Sequence, residues 1–299
     1  MSNDHPTRLE IEVPDGPIVA NAYGAPGPAA APRPTVVLCP GFSGVQDTNA
    51  VVWVARRMAE EGLQAVTFDY RGFGRSGGAP RQVLSIPAQL ADVRSVLAHV
   101  RTMPGVDAYR LALWGTSLGG AHALTVAAAD DALAAVVTQV PFNGVPRKVE
   151  GRSPRTSLAL LWAAFRDRWR GRVGREPIYV KAVGEPGELA VMTGPDVVRT
   201  VRALTSETWE NRVAPRGLLD MMGYRPGREV ARIRAALLVC VATQDRETPA
   251  ETTRGLAVQA PRGSTVEYDV THFDIYRPGV RERVLRDQVG FLRSAFALR

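Results

Sequence analysis

Three observations predict an α/β chain with a mostly parallel sheet and helices on both faces. Short apolar runs rich in β-branched residues recur along the chain. Amphipathic helical stretches separate them. A Gly115-Thr116-Ser117-Leu118-Gly119 turn joins one such run to an apolar helix.

In chain order, Thr7 to Val13 and Pro17 to Tyr23 alternate like two strands, and Gly24 to Pro34 reads as a loop. Thr35 to Cys39 is short, apolar and β-branched, the pattern of a buried strand. Pro40 to Gly44 forms a turn, Asn49 to Glu61 a helix and Leu63 to Tyr70 a strand. From Ser85 to Met103, apolar Ile86, Leu90, Val93, Leu97 and Val100 recur at helical spacing. Tyr109 to Trp114 is a strand, Ser117 to Ala129 an Ala-rich helix and Ala134 to Val140 another buried strand. Residues 142–228 break this rhythm with Gly, Pro and Arg clusters and short helical pieces such as Ser157 to Trp169. The rhythm then resumes. Ala235 to Thr243 and Ser264 to Val270 are strands, and Ala250 to Gln259 and Val280 to Leu298 are helices.

The 299 residues, 45% apolar and 22% charged, are ample for a large core and exclude disordered, collagen-like and coiled-coil classes. Two cysteines, Cys39 and Cys240, rule out a disulfide scaffold or a four-cysteine zinc site and are expected to pack in buried strands. Met1 to His5 lacks a secretory leader's basic head and apolar run, and no stretch reaches the ~18 apolar residues of a membrane span. A cytoplasmic protein without membrane contact is the expectation.

Net charge is +7, and arginine supplies 35 of the 37 basic residues, since only Lys148 and Lys181 are lysines. From Pro146 to Glu176, nine basic residues against three acidic ones give +6, so the remainder is nearly neutral. No groove-reading or stacking motif accompanies this charge, so no nucleic-acid partner is expected.

The chemistry concentrates at strand ends. Glycines two before and two after Ser117 allow the sharp turn that exposes a serine hydroxyl at a helix N-terminus, where the dipole favours negative charge. Of four histidines, His5, His99 and His122 fall in a terminus or within helices, whereas His272 directly follows a strand and is the candidate base. Asp245 also follows a strand and would orient that imidazole, with Glu247 and Asp274 as rivals. The chain order Ser117, Asp245, His272 is that of one hydrolase fold. The oxyanion donors would be the backbone N–H groups of Leu118 and Phe42.

These residues resemble the α/β-hydrolase superfamily. Cys39-Pro-Gly-Phe-Ser-Gly44, Asp69-Tyr-Arg-Gly-Phe-Gly-Arg-Ser-Gly77, Trp114-Gly-Thr-Ser-Leu-Gly119, Gln139-Val-Pro-Phe142 and Thr271-His-Phe-Asp-Ile-Tyr276 carry the resemblance. They are similar to the dienelactone-hydrolase-like and X-prolyl-peptidase-like branch, which includes polyketide acyltransferase and thiohydrolase relatives. The resemblance implies an α/β-hydrolase fold of about eight strands with a cap after the sixth. By it, 1–141 and 229–299 are the core and 142–228 the cap. Cys39-Pro40 stands where many relatives have histidine, and a serine nucleophile departs from dienelactone hydrolases proper.

A serine hydrolase of carboxylic esters, lactones or thioesters is therefore expected, with no cofactor and no metal. The alternatives are an acyltransferase using the same triad and an inactive ligand-binding module. Phe142, Trp162, Met192 and Tyr276 are the candidate substrate contacts. Trp162, Phe165 and Trp169 share a helical spacing that suits packing on the sheet or an acyl pocket with Phe42. The basic segment is either a solvated face or a receptor for an anionic group or an acidic carrier protein. A homodimer is compatible with the sequence. Gly72 to Gly77 fits the G-x-G-x-x-G pattern, but no helix opens there, so it reads as a structural loop near the active-site rim.

Overall fold

A computed structural model describes residues 5–24, 31–145, 151–204 and 206–298. The strands are β1 (Thr7–Ile11), β2 (Ile18–Tyr23), β3 (Arg33–Cys39), β4 (Gln64–Phe68), β5 (Val106–Thr116), β6 (Ala135–Gln139), β7 (Lys181–Gly184), β8 (Ala190–Thr193), β9 (Ala236–Ala242) and β10 (Gly263–Tyr268). The helices are α1 (Asn49–Glu60), α2 (Ile86–Thr102), α3 (Leu118–Ala127), α4 (Pro154–Arg172), α5 (Pro195–Leu204), α6 (Gly217–Gly223), α7 (Ala250–Gln259) and α8 (Val280–Ala295).

Eight strands form one sheet in the order β1-β2-β4-β3-β5-β6-β9-β10. β1 and β2 pair antiparallel, as do β2 and β4; the other five pairings are parallel. Period-two alternation within buried strands sends successive side chains to opposite faces. Val37, Val66, Leu113, Val136 and Val239 face one core with α2 and α3. Val36, Leu38, Trp114, Val137 and Leu238 face the other with α1 and α8. Cys39 and Cys240 are buried among them as free thiols, and burial pushes both thiols up, Cys240 to about 12.

The strands lie where the apolar runs predict them. β5 is longer than the Tyr109 to Trp114 run, and β3 begins at Arg33. The Gly72–Gly77 loop is a clip around buried Asp69. Gly72 N–H donates to Gly77 O (2.7 Å), Arg75 N–H to Asp69 Oδ2 (2.9 Å), and Ser76 Oγ–H to Asp69 O (2.6 Å). A Cβ on Gly74 would sit 2.3 Å from the Asp69 carboxyl carbon. The loop is thus structural, but it lines neither cavity of the candidate site, contrary to the rim expectation.

The insertion between β6 and β9 is more ordered than its composition suggests. It carries α4, α5, α6 and a two-stranded parallel sheet of β7 and β8. Ser153 caps α4 through its side chain, which accepts from Thr156 N–H (3.1 Å), and Pro154 opens the first turn. Asp167, fully buried on α4, accepts from Arg216 Nε (2.6 Å) and Nη2 (2.9 Å) and from Ile178 N–H (2.8 Å). This bidentate pair ties α4 to the residues preceding β7 and α6. Among the described residues no helix is long and apolar enough to cross a membrane.

Removing one partner of such a buried pair strands the other charge. Asp167→Ala is expected to lower the unfolding free energy by about 3 kcal/mol, read from urea denaturation. A loss below about 1 kcal/mol, the range of exposed ion pairs, would mean that the pair contributes little.

Candidate active site

Ser117 sits at the turn from β5 into α3 with φ 52° and ψ −119°, a conformation that L-residues rarely adopt. The surroundings hold it there. Ser117 N–H donates to Gln139 O (2.9 Å), and Ser117 O accepts from Phe142 N–H (2.9 Å) and Ala121 N–H (3.2 Å). A Cβ on Gly119 would lie 2.1 Å from Cys39 O and 2.4 Å from Pro40 O, and one on Gly115 would lie 2.3 Å from Gly119 O. Only glycine lets these backbones approach so closely.

That approach brings the loop after β3 against the elbow. A Cβ on Gly41 would lie 3.3 Å from Thr116 O and 3.5 Å from Ser117 Cβ. Phe42 lines the same cavity as Ser117 and Leu118. Leu118 is the first residue of α3, so its N–H is among the donors a helix leaves without an intrahelical partner.

His272 and Asp245 meet from the ends of β10 and β9. His272 Nδ1 lies 2.7 Å from Asp245 Oδ2, and both residues are buried. The Asp245 carboxylate also accepts from Glu247 N–H (2.8 Å), Thr248 N–H (2.7 Å) and Thr248 Oγ1 (2.8 Å). Burial alone pushes the imidazole pKa down. The Asp245 charge and hydrogen bond, helped by Glu247, outweigh it, and His272 lies above the ordinary histidine value. Asp274 instead pairs with Arg277 (2.9 Å) and caps its own loop.

The other histidines keep their expected places. His122 is fully buried, bonded to Gln89 Oε1 (2.9 Å) and the Tyr224 hydroxyl (3.1 Å), and burial pushes it down to about 3. The Tyr224 ring stacks on Phe142, 6.3 Å between centroids, so this network supports a cavity wall.

Two cavities meet at Ser117 and His272, sharing Phe42 and Met192. The larger, about 270 Å³, is walled mainly by Phe142, Leu160, Val191, Leu218, Met221 and Met222. The smaller, about 120 Å³, is lined by Thr48, Trp209, Phe273 and Tyr276 among others. Of the candidate substrate contacts, Phe142, Met192 and Tyr276 line these cavities. Trp162 does not. It is 62% exposed and lines neither cavity, and Phe165 and Trp169 are also exposed rather than packed on the sheet. The helical phase explains this. Ser157, Leu160, Leu161 and Ala164 face the cavity, and at ~100° per residue Trp162 lies about 150° round from their mean direction.

The two charged residues with carboxylate or guanidinium groups in the larger cavity, Arg152 and Glu247, were not singled out as substrate contacts from sequence. Arg152 donates to the carbonyls of Ala190 (3.3 Å) and Val191, while its buried Nε has no partner among the described residues. Glu247 lines the same wall, and its charge acts on both Arg152 and His272. Among the described residues no cluster of side chains could hold a metal ion.

A family model described as serine aminopeptidase, S33 matches residues 30–271. The quorum-quenching protein AidA of Acinetobacter baumannii is 34% identical over 98% of this chain and 97% of its own length. A polyketide transferase of Penicillium crustosum is 24% identical over 97% of this chain and 98% of its own length. The crystal structure of the α/β hydrolase GrgF from Penicillium matches with a TM-score of 0.80 at 22% identity, covering 98% of this chain and 99% of that one. At that identity the likeness concerns the fold, and it is the α/β-hydrolase fold.

A base must be neutral to accept a proton. With His272 raised, kcat/KM should fall as pH drops through a value above 6.5. Asp245→Asn removes the charge that raises it, so this limb should move to lower pH while kcat/KM falls by about 10³- to 10⁴-fold. A pH-rate profile with the limb unmoved in the variant would contradict the pairing.

Proposed function

Because the chain belongs to the serine aminopeptidase S33 family and is an α/β-hydrolase enzyme, we propose that Ser117, His272 and Asp245 are its catalytic triad. The substrate is a carboxylic ester, lactone or thioester. The observation that carries this reading is the buried Asp245–His272 hydrogen bond of 2.7 Å at the cavity that Ser117 lines.

Ser117 Oγ attacks the acyl carbonyl while His272 Nε2 takes its proton. Asp245 holds the tautomer that leaves Nε2 free and stabilises the imidazolium. The N–H groups of Leu118 and Phe42 receive the oxyanion. Collapse of the tetrahedral intermediate breaks the bond to the leaving group, which departs with the proton from His272. Water then attacks the acyl-enzyme, giving up a proton to His272; the acyl–Oγ bond breaks, His272 returns that proton to Ser117 Oγ, and the acid is released. This chemistry calls for no cofactor.

Residues 142–228 serve as a cap over the core of 1–141 and 229–299. The cavity-facing side of α4, with Val191, Met192, Leu218 and Met221, supports that role. The larger cavity suits an acyl chain and the smaller one a leaving group. Arg152 would meet an oxygen on that chain. Glu247 balances its charge, which favours a neutral carbonyl over a carboxylate. The quorum-quenching relative makes acyl lactones the first compounds to test. Acyl transfer is the second reading, favoured by the smaller cavity beside Ser117, which has room for an acceptor, and by the polyketide transferase relative. Buried, unpaired Cys39 and Cys240 support a reducing, cytoplasmic setting.

A fluorophosphonate should label Ser117 in intact-mass and peptide spectra. p-Nitrophenyl acyl esters should turn over, and both signals should vanish in Ser117→Ala. Absence of labelling in the folded wild-type protein would remove the nucleophile assignment. Turnover that rises on adding an alcohol or amine would favour transfer over hydrolysis. Arg152→Gln should reduce kcat/KM about tenfold for acyl chains bearing a carbonyl, the scale of one charged hydrogen bond, and leave plain alkyl esters within about twofold.

A further inference from the structure

One face of α4 is apolar and uncovered. Leu158, Trp162, Phe165 and Trp169 are 68%, 62%, 58% and 54% exposed, and Val173 just past the helix end is 51% exposed. At ~100° per residue these five fall within an arc of about 80°. The opposite face holds the buried Leu160, Ala163, Ala164 and Asp167. The stripe is therefore not core left partly open. It is a second apolar face on a helix whose first is already packed.

Arginines border the stripe on both sides. Arg155 and Arg166 lie along one edge and Arg168 and Arg172 along the other, by the same helical phase. The Arg166 and Arg175 guanidinium carbons sit 5.3 and 5.5 Å from the ring centroids of Trp162 and Trp169. Arg168 pairs with Asp220 (2.6 Å). Among the described residues, Arg155, Arg166, Arg170, Arg172 and Arg175 have no carboxylate partner. Long arginine stems can lie on apolar surface while their heads reach outward.

We propose that this face of α4 docks on a lipid surface carrying anionic headgroups. The charge decides between occupants. A second copy of the chain would set two arginine-bordered stripes against each other, with cations facing cations along both edges. An anionic bilayer surface accepts the aromatic stripe between its headgroups and the arginines at its phosphates. The expectation of no membrane contact rested on the lack of a spanning run, and a helix lying in the interface plane needs none. Ser157 and Leu161, which line the larger cavity, lie round the helix from this stripe, so docking leaves the acyl cavity uncovered.

The test is co-sedimentation of the full-length protein with vesicles of phosphatidylcholine containing increasing phosphatidylglycerol. Binding should rise with phosphatidylglycerol and fall with added salt. Phe165→Ser/Trp169→Ser should weaken it at least tenfold, with turnover of a short soluble ester unchanged as the control for folding. Ser117→Ala should bind like wild type, which separates this proposal from the triad assignment. Two results would overturn it: no binding to anionic vesicles, or a wild-type dimer in analytical ultracentrifugation that the double variant dissociates.

Discussion

The left-handed backbone at Ser117 is the constraint around which the rest of this site is arranged. Such a conformation costs of order 1–3 kcal/mol and persists only where its neighbours over-determine it. Here β6 supplies Gln139 O, the start of the insertion supplies Phe142 N–H, and the glycines at 115 and 119 let α3 press against the end of β3. The loop bearing Phe42 therefore cannot shift without disturbing Ser117. One strained residue couples Ser117 to the loop bearing Phe42 and to the first wall of the larger cavity.

The electrostatics of the site follow from burial. In a dry environment a lone imidazolium would be disfavoured, yet the buried Asp245 charge reverses that balance for His272. Backbone and Thr248 donors complete the hydrogen bonding of the Asp245 carboxylate. His122 is the contrast within the same molecule. It is equally buried but faces only neutral partners, and it stays neutral as a structural group. Residue type is the same in the two cases, and the neighbouring carboxylate makes the difference.

The insertion walls much of the larger cavity beside Ser117. α4 serves it with two faces, one toward the cavity and one toward solvent, held in orientation by the Asp167–Arg216 pair. The buried side of α4 carries Leu160, Ala163, Ala164 and Asp167, and its aromatic side faces outward.

The sheet and the sharp turn at Ser117 were legible in residue pattern alone. Buried strands and amphipathic helices leave periodic traces, and the elbow glycines are demanded by contacts only a few residues apart. The two N-terminal strands were legible for the same reason, though their antiparallel pairing was not. The short parallel pair β7–β8 was not, because its strands are four residues each and draw stability from packing rather than pattern. Tertiary structure alone decided that Glu247 and Arg152 share a cavity wall, since 95 positions separate them in the chain. It alone also decided which side of α4 faces inward. Helical periodicity marked Trp162, Phe165 and Trp169 as one stripe. That helix offers two apolar faces, and local periodicity does not say which one meets the rest of the fold; the face with Leu160, Ala163, Ala164 and Asp167 does.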